Sequence, residues 1–182
     1  IEARDKGSIE ELCSTYGFVS SQIVKVIAML AYLEDGKIQP ILLSIRGDQE
    51  LNEIKLVNLL AKEIEQKILT IRSITSEDIS SEGLNPFPFG AIGPDLDDSF
   101  LKEAISWEKT FLRIADKTAA ELENFVCGAN ESKKHRVNSN WDNCKGVPKS
   151  FDIRKAKSGD SCVHDSLQKL VEKRGIEVGH IF

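Results

Sequence analysis

Long apolar runs are missing from this sequence. The longest, "VIAMLAYL", covers Val26–Leu33, and a membrane-spanning helix needs roughly 20 such residues, so the run reads as a buried strand. An excess of basic charge is missing too. The net charge of −5 excludes a general nucleic-acid binder, which should be basic, although local contact with a few phosphates remains open. Cysteines never fall in a C-x-x-C spacing. Cys13, Cys127, Cys144 and Cys162 are scattered, as suits a reducing cytosol and a chain that needs no staples. Cys127, Cys144, Cys162 and His164 could together hold zinc, but their spacings match no common zinc template. No dinucleotide-binding glycine fingerprint, phosphate-binding P-loop, H-E-x-x-H or G-x-S-x-G occurs. The opening "IEARDKGS" is charged, lacks a starting Met and gives no signal peptide.

What is present suits one globular domain. The chain has 182 residues, of which 41% are hydrophobic, enough to bury about 70% of its unfolded surface. "SIEE", Ser8–Glu11, reads as a capping box opening a helix that runs to Tyr16 and stops at Gly17. Val24–Leu33 and Ile38–Ile45 read as a hairpin turning at Gly36, with Pro40 placing the second strand at an edge or marking its start. Leu51, Ile54, Val57, Leu60, Ala61 and Ile64 recur at three and four, one buried helix face with Lys55 at its border. Further strands are expected at 68–72, 110–115, 124–127, 134–137 and 151–154, a helix from about Ser76, and another over 166–173. The segment from Ile176 reads as extended. Grouped strands with helices between the groups argue α+β: a single domain with a mixed, strongly curved sheet and surrounding helices.

Four stretches stand out. "RGDQELNEIK", Arg46–Lys55, puts Lys55 on a helix that follows a strand and a turn. "NPFPFGAIGP" holds three prolines and two glycines in ten residues and cannot be regular. "IADKT" puts Asp116 directly after a strand. "GANESKKHRVNSNWD" carries Asn130, His135, Asn140, Trp141 and Asp142. Each also has a plainer reading. Lys55 can be a solvated helix lysine, Gly90 and Gly93 can serve a turn, Asp116 can cap the next helix, and His135 can be a satisfied strand histidine.

Taken in order, "RGDQELNEIK", "GAIGP", "GANESKKH…NWD" and "KRGIEVGHIF" resemble the insertion domain of bacterial-type prolyl-tRNA synthetases, which shares its fold with free-standing trans-editing deacylases. The resemblance covers about Ser8 to Phe182 and implies a segment cut from a longer class II synthetase. The activity it implies is hydrolysis of alanyl-tRNA(Pro), because a missing methylene or two gives a proline site only about 1–3 kcal/mol against alanine. It also implies roles. Lys55 grips a phosphate near the terminal adenosine. Gly90, Gly93 and Pro94 form a loop whose backbone approaches the ester and polarises its carbonyl. Asp116 and Asn130 line the substrate, and His135 stands beside the amino-acid pocket. Water attacks, helped by a terminal ribose hydroxyl, without a protein nucleophile, metal or cofactor in the editing domain; ATP and Mg belong to the full synthetase. The implied partners are the 3′ end of tRNA(Pro) carrying alanine and the rest of a cytoplasmic, homodimeric enzyme, with no membrane. "KKHR" offers a local basic patch, although Arg136 stands where the family often has an aromatic residue. Two rival readings are a non-catalytic insertion that stabilises the synthetase or positions its tRNA, and a free-standing deacylase of other specificity.

Overall fold

The computed structural model describes residues 1–3 and 7–175; the expected extended segment from Ile176 lies outside them. The chain opens with α1 (Ile9–Tyr16). The Ser8 hydroxyl accepts from the Glu11 N–H, and Gly17 closes the helix at φ 74° with its N–H on the Cys13 carbonyl. The Glu11 carboxylate reaches back one residue further than a capping box requires, to the Gly7 N–H. A cap of this kind is worth about 1 kcal/mol.

Strands β1 (Val24–Leu33) and β2 (Ile38–Arg46) form the expected antiparallel hairpin. Next come α2 (Glu53–Glu63), β3 (Ile68–Ser73) and α3 (Ser76–Ser81). After a long irregular stretch follow β4 (Leu112–Asp116), α4 (Lys117–Ala120), β5 (Phe125–Gly128), β6 (His135–Ser139) and β7 (Lys149–Phe151). Five strands make one mixed sheet in the order β3-β1-β2-β4-β7. The hairpin and β3 run antiparallel, whereas β2, β4 and β7 run parallel. The architecture is the α+β, mixed-sheet one expected. Pro40 marks the start of a strand and not an edge. It faces Leu30, and the pairing of β2 with β4 begins one residue later, at Ile41.

The apolar run of β1 has a simple cause: both faces of the central strands are covered. Ala28, Leu30 and Leu42 belong to one core, and Met29, Ala31, Ile41 and Leu43 to another. Period-two alternation sends neighbours to opposite faces, and a strand buried on both sides reads as continuous hydrophobicity. The second core is roofed by Leu56 and Leu60 of α2. The first is roofed by irregular chain carrying Phe87, Ile92, Leu96, Leu101, Trp107 and Phe111. That roof has few helical ladders to satisfy its backbone. The buried Glu82 carboxylate does part of this work, accepting from the N–H groups of Ile105 and Ser106 and from the Ser106 hydroxyl.

Two expectations need correction. The apolar face of α2 is turned slightly from the one drawn: Leu51, Val57, Leu60, Ala61 and Ile64 pack on the second core as expected, but Ile54 is 75% exposed and Leu56 is buried in its place. Residues 166–173 form no helix. They make a turn in which the Asp165 carboxylate accepts from Leu167 N–H, within a small loop closed by the Ser161–Lys169 bridge. Leu167 is 91% exposed, so no core repays the ordering of so short a helix.

β5 and β6 form a separate two-stranded sheet. A parallel bridge between Ile23 and Val126 joins it to the beginning of β1. Leu12 of α1 packs with that same pair. Residues 1–3 lie along the other side of β6: Ile1 and His135 exchange backbone bonds, and the Ala3 N–H donates to the Lys133 carbonyl. The result is a corner where α1, the start of β1, the loop around Gly90 and the small sheet all meet.

Candidate functional site

A cavity of about 190 Å³ occupies that corner. Its apolar walls come from Ile9 and Leu12 of α1, from Ile23, Val24 and Val26, and from Ile92. Its chemistry comes from Lys25, Gly90, Cys127 and His135.

His135 opens β6 and is 5% exposed. Its Nε2 lies 3.1 Å from the Gly90 carbonyl oxygen. A carbonyl can only accept, so Nε2 carries the proton in that bond. Nδ1 is buried with no partner among the described residues. Burial pushes the pKa of His135 below its ordinary value, against the raising effect of the Gly90 bond. The ring is therefore neutral near pH 7, a cavity wall bolted to the loop opposite.

Gly90 has φ 83°, which only glycine adopts without strain. Three residues on, the Gly93 N–H donates to the Asn130 side-chain oxygen at 2.6 Å, and the Asn130 amide donates to Asp95 at 2.9 Å. Asp95 also takes both terminal nitrogens of Arg136, whose guanidinium bonds the Gly128 carbonyl as well. Burial opposes the ionised Asp95 carboxylate, but the Arg136 bonds outweigh it and hold its pKa below the usual range. Gly93 is a glycine for space, since a β-carbon there would stand 2.5 Å from the Gly128 carbonyl oxygen. This network clamps the 90–95 loop onto the small sheet. Among the described residues, the N–H groups of Gly90 and Ile92 donate to nothing, while that of Gly93 is taken.

The residues singled out in the sequence thus divide. Gly90 and His135 meet at the cavity. Gly93, the buried Pro94 and Asn130 do not line it; Gly93 and Asn130 belong to the clamp behind it. Asp116 is 1% exposed, with its oxygens accepting from Thr118 N–H, Thr118 hydroxyl and Ile153 N–H. It caps α4 and pins the chain before Arg154, away from the cavity lining. Asn140 accepts from the Asn124 N–H, and Trp141 packs on Phe125. In "KKHR", Lys134 is paired with Glu131 and Arg136 with Asp95, so the expected basic patch is largely spent internally.

Lys55 is elsewhere. Its Nζ donates to Asp152 at 2.9 Å and to the Arg154 carbonyl at 3.1 Å, and it lines no part of the cavity. The rotation of α2 explains this: with Ile54 turned outward, Lys55 turns toward the chain after β7. The lysine that does line the cavity is Lys25, in β1. Its Nζ donates to the Gln49 carbonyl at 2.8 Å. Burial lowers its pKa, with Glu50, Asp48 and Glu10 pulling the other way. A sequence signal for it existed: Lys25 is the single charge between Ile23 and Leu33 in an otherwise apolar strand.

Cys127 also lines the cavity, but no hydrogen bond links it to His135. Its thiol interacts with Cys144, which with Arg136 lowers its pKa to about 7. Cys162 and His164 sit on the outer loop, and the described residues hold no grouping of three or more His, Cys, Asp or Glu able to bind an ion. Ser8 is committed to capping α1. No helix among the described residues is long and apolar enough to cross a membrane.

The chain matches no family model. It is 54% identical over all 182 residues to a proline-tRNA ligase of Prochlorococcus marinus (strain MIT 9303) and 57% identical to that of strain MIT 9211. It is 49% identical to the proline-tRNA ligase of Synechococcus sp. (strain CC9902). In each case the whole chain is matched, and it spans about 30% of the relative's length. A crystal structure described as a candidate trans-editing enzyme for prolyl tRNA synthetase has the same fold. Its TM-score is 0.57 at 14% identity, over 86% of this chain and 85% of that one.

Proposed function

The chain is homologous along its whole length to a segment of proline-tRNA ligases, and on that premise we propose that it is an editing segment that hydrolyses alanyl-tRNA(Pro). The observation that carries the proposal is the cavity itself. It is small and walled by aliphatic side chains. Among the described residues it presents one lysine, one neutral histidine and a glycine loop whose Gly90 and Ile92 N–H groups donate to nothing.

Each part has a role in ester hydrolysis. Lys25 supplies the cavity's positive charge, suited to the terminal phosphate of an acceptor end. The N–H groups of Gly90 and Ile92, which donate to nothing among the described residues, are suited to the oxyanion that forms when water attacks the ester carbonyl. Asn130, Asp95 and Arg136 hold that loop before substrate arrives, so no reorganisation is needed in the transition state. His135 closes the amino-acid end as a rigid wall. Its Nε2 proton is committed to Gly90 and the Ser8 hydroxyl accepts the Glu11 N–H at the cap of α1, so His135 is not poised as a base for a serine nucleophile, and we take water as the attacking group. We place the reaction in the cytoplasm, within a longer synthetase chain, with no metal or cofactor for this step.

The test is a deacylation assay on alanyl-tRNA(Pro) and prolyl-tRNA(Pro). Hydrolysis of the first and sparing of the second is the expected outcome. Hydrolysis of neither would leave the segment a non-catalytic insertion. Hydrolysis of a different aminoacyl ester would make it a deacylase of other specificity.

A further inference from the structure

A second pocket, of about 100 Å³, has no part in the chemistry above. It is lined by Ile79, Leu84, Pro86, Phe87 and Phe89, with Ser76 and Ser80 among its lining residues. Phe89 lines this pocket and the next residue, Gly90, lines the cavity. Ile92, a cavity wall, belongs to the same core as Ile79, Leu84 and Phe87.

Phe89 is out of character for that core. Phe87 beside it is 5% exposed, but Phe89 is 41% exposed, its ring 6.1 Å from that of Phe87. A flat aromatic face is thus held at the surface by a buried aromatic, one residue from the loop that handles the ester. Pro86 and Pro88 flank Phe87, and their fixed backbone angles leave this stretch little further entropy to lose on binding.

We propose that this pocket receives the 3′-terminal nucleobase of the aminoacylated RNA, stacked on Phe89, while the aminoacyl ester lies across Gly90 in the cavity. The proposal rests on the editing reading above and adds a subsite to it. Base stacking on an exposed aromatic ring is sequence-tolerant and needs no charge, which suits an acidic domain whose basic residues near the cavity are mostly paired. Chain geometry suits it too, because the ester is carried on the ribose of that same nucleotide, so base and ester must occupy neighbouring sites.

The experiment compares wild type, Phe89→Ala and Phe89→Trp on two substrates: alanyl-tRNA(Pro), and the same RNA with its terminal base removed. Phe89→Ala is expected to raise KM about tenfold on the intact substrate, the size of a lost stacking contact, with kcat little changed. Phe89→Trp should keep KM near wild type, and on the abasic substrate all three should agree. No change with Phe89→Ala, or an equal loss on both substrates, would overturn the subsite. A CCA trinucleotide titrated against the protein, read by NMR of the Phe89 ring protons, separates the subsite from the reaction. Should wild type hydrolyse nothing, the editing reading falls. Upfield shifts of those protons would then still uphold the nucleobase site, and their absence would remove it.

Discussion

Gly7 lies so close beneath His135 that a β-carbon on it would stand 2.6 Å from His135 Cε1 and 3.0 Å from the Gly90 carbonyl oxygen. The backbone there has φ +68°. The segment before α1 is therefore part of the ring's seat. Gly7→Ala should cost about 1–2 kcal/mol from the left-handed backbone alone. It should also displace the imidazole from the Gly90 carbonyl. Chemical denaturation gives the first effect, and the alanyl-to-prolyl hydrolysis ratio reports the second. A variant with wild-type stability and ratio would show that Gly7 is not seated under the ring.

The two lysines make opposite predictions. Lys25→Ala should reduce alanyl-tRNA hydrolysis by about ten- to a hundredfold, the worth of one charge-assisted contact, with an unchanged circular dichroism spectrum. Lys55→Ala should leave hydrolysis within about twofold, since it removes an exposed ion pair with Asp152 and a bond to the Arg154 carbonyl, both away from the cavity, and such exposed pairs contribute little. Should Lys55 carry the larger loss, the phosphate grip lies on α2 and the cavity assignment is wrong.

His135→Ala removes the largest polar wall of the cavity and the bond that holds Gly90. Space opens for proline's extra carbons, each buried methylene being worth about 0.8 kcal/mol. The alanyl-to-prolyl ratio should fall by about ten- to a hundredfold. If both rates drop and the ratio holds, His135 orients the ester and exclusion of proline rests on the aliphatic walls.

Acidification tests the same ring. Burial lowers the folded-state pKa of His135 below the unfolded value near 6.5. The unfolded chain then binds the proton more readily. The contribution of His135 to stability is present above about pH 6.5 and is lost as the pH falls through the lower folded value. Urea midpoints measured from pH 7.5 to 5 should decline, and His135→Gln should flatten part of that decline. An NMR titration of the ring placing its pKa above 6.5 would contradict the assignment.

The sheet was legible in the sequence because its signals are local. The hairpin needed only two apolar runs and the turn at Gly36, and α1 needed only Ser8 and Gly17. The lining of the cavity was half legible. Gly90 and His135 sit in motifs whose glycines and histidine must stand where they do, whereas Lys25 is disguised as one residue of a hydrophobic strand. Placing Lys55 toward a ligand depends on a helix face drawn through Ile54. The buried face keeps Leu60 but takes Leu56 in place of Ile54, and only the packing of α2 on the sheet decides between them. The helix expected over 166–173 failed for a related reason: composition favours it, but no apolar surface waits for its leucines. Asp116 and Asn130 were visible as polar residues at element ends, yet whether their oxygens serve a ligand or the backbone depends on Ile153 and Gly93, distant in sequence.

The cavity draws its walls from residues 7–12, 23–26, 90–92 and 127–135, and this scattering has a consequence in time. At 5–20 residues per second, roughly 6 to 25 s separate the synthesis of Gly7 from that of His135. Through that interval β1 and β2 can pair, but the corner has no floor, and the Gly90 loop has neither Asn130 nor Arg136 to hold it. The hairpin can form early and the cavity only later, complete when β6 reaches back to the segment before α1.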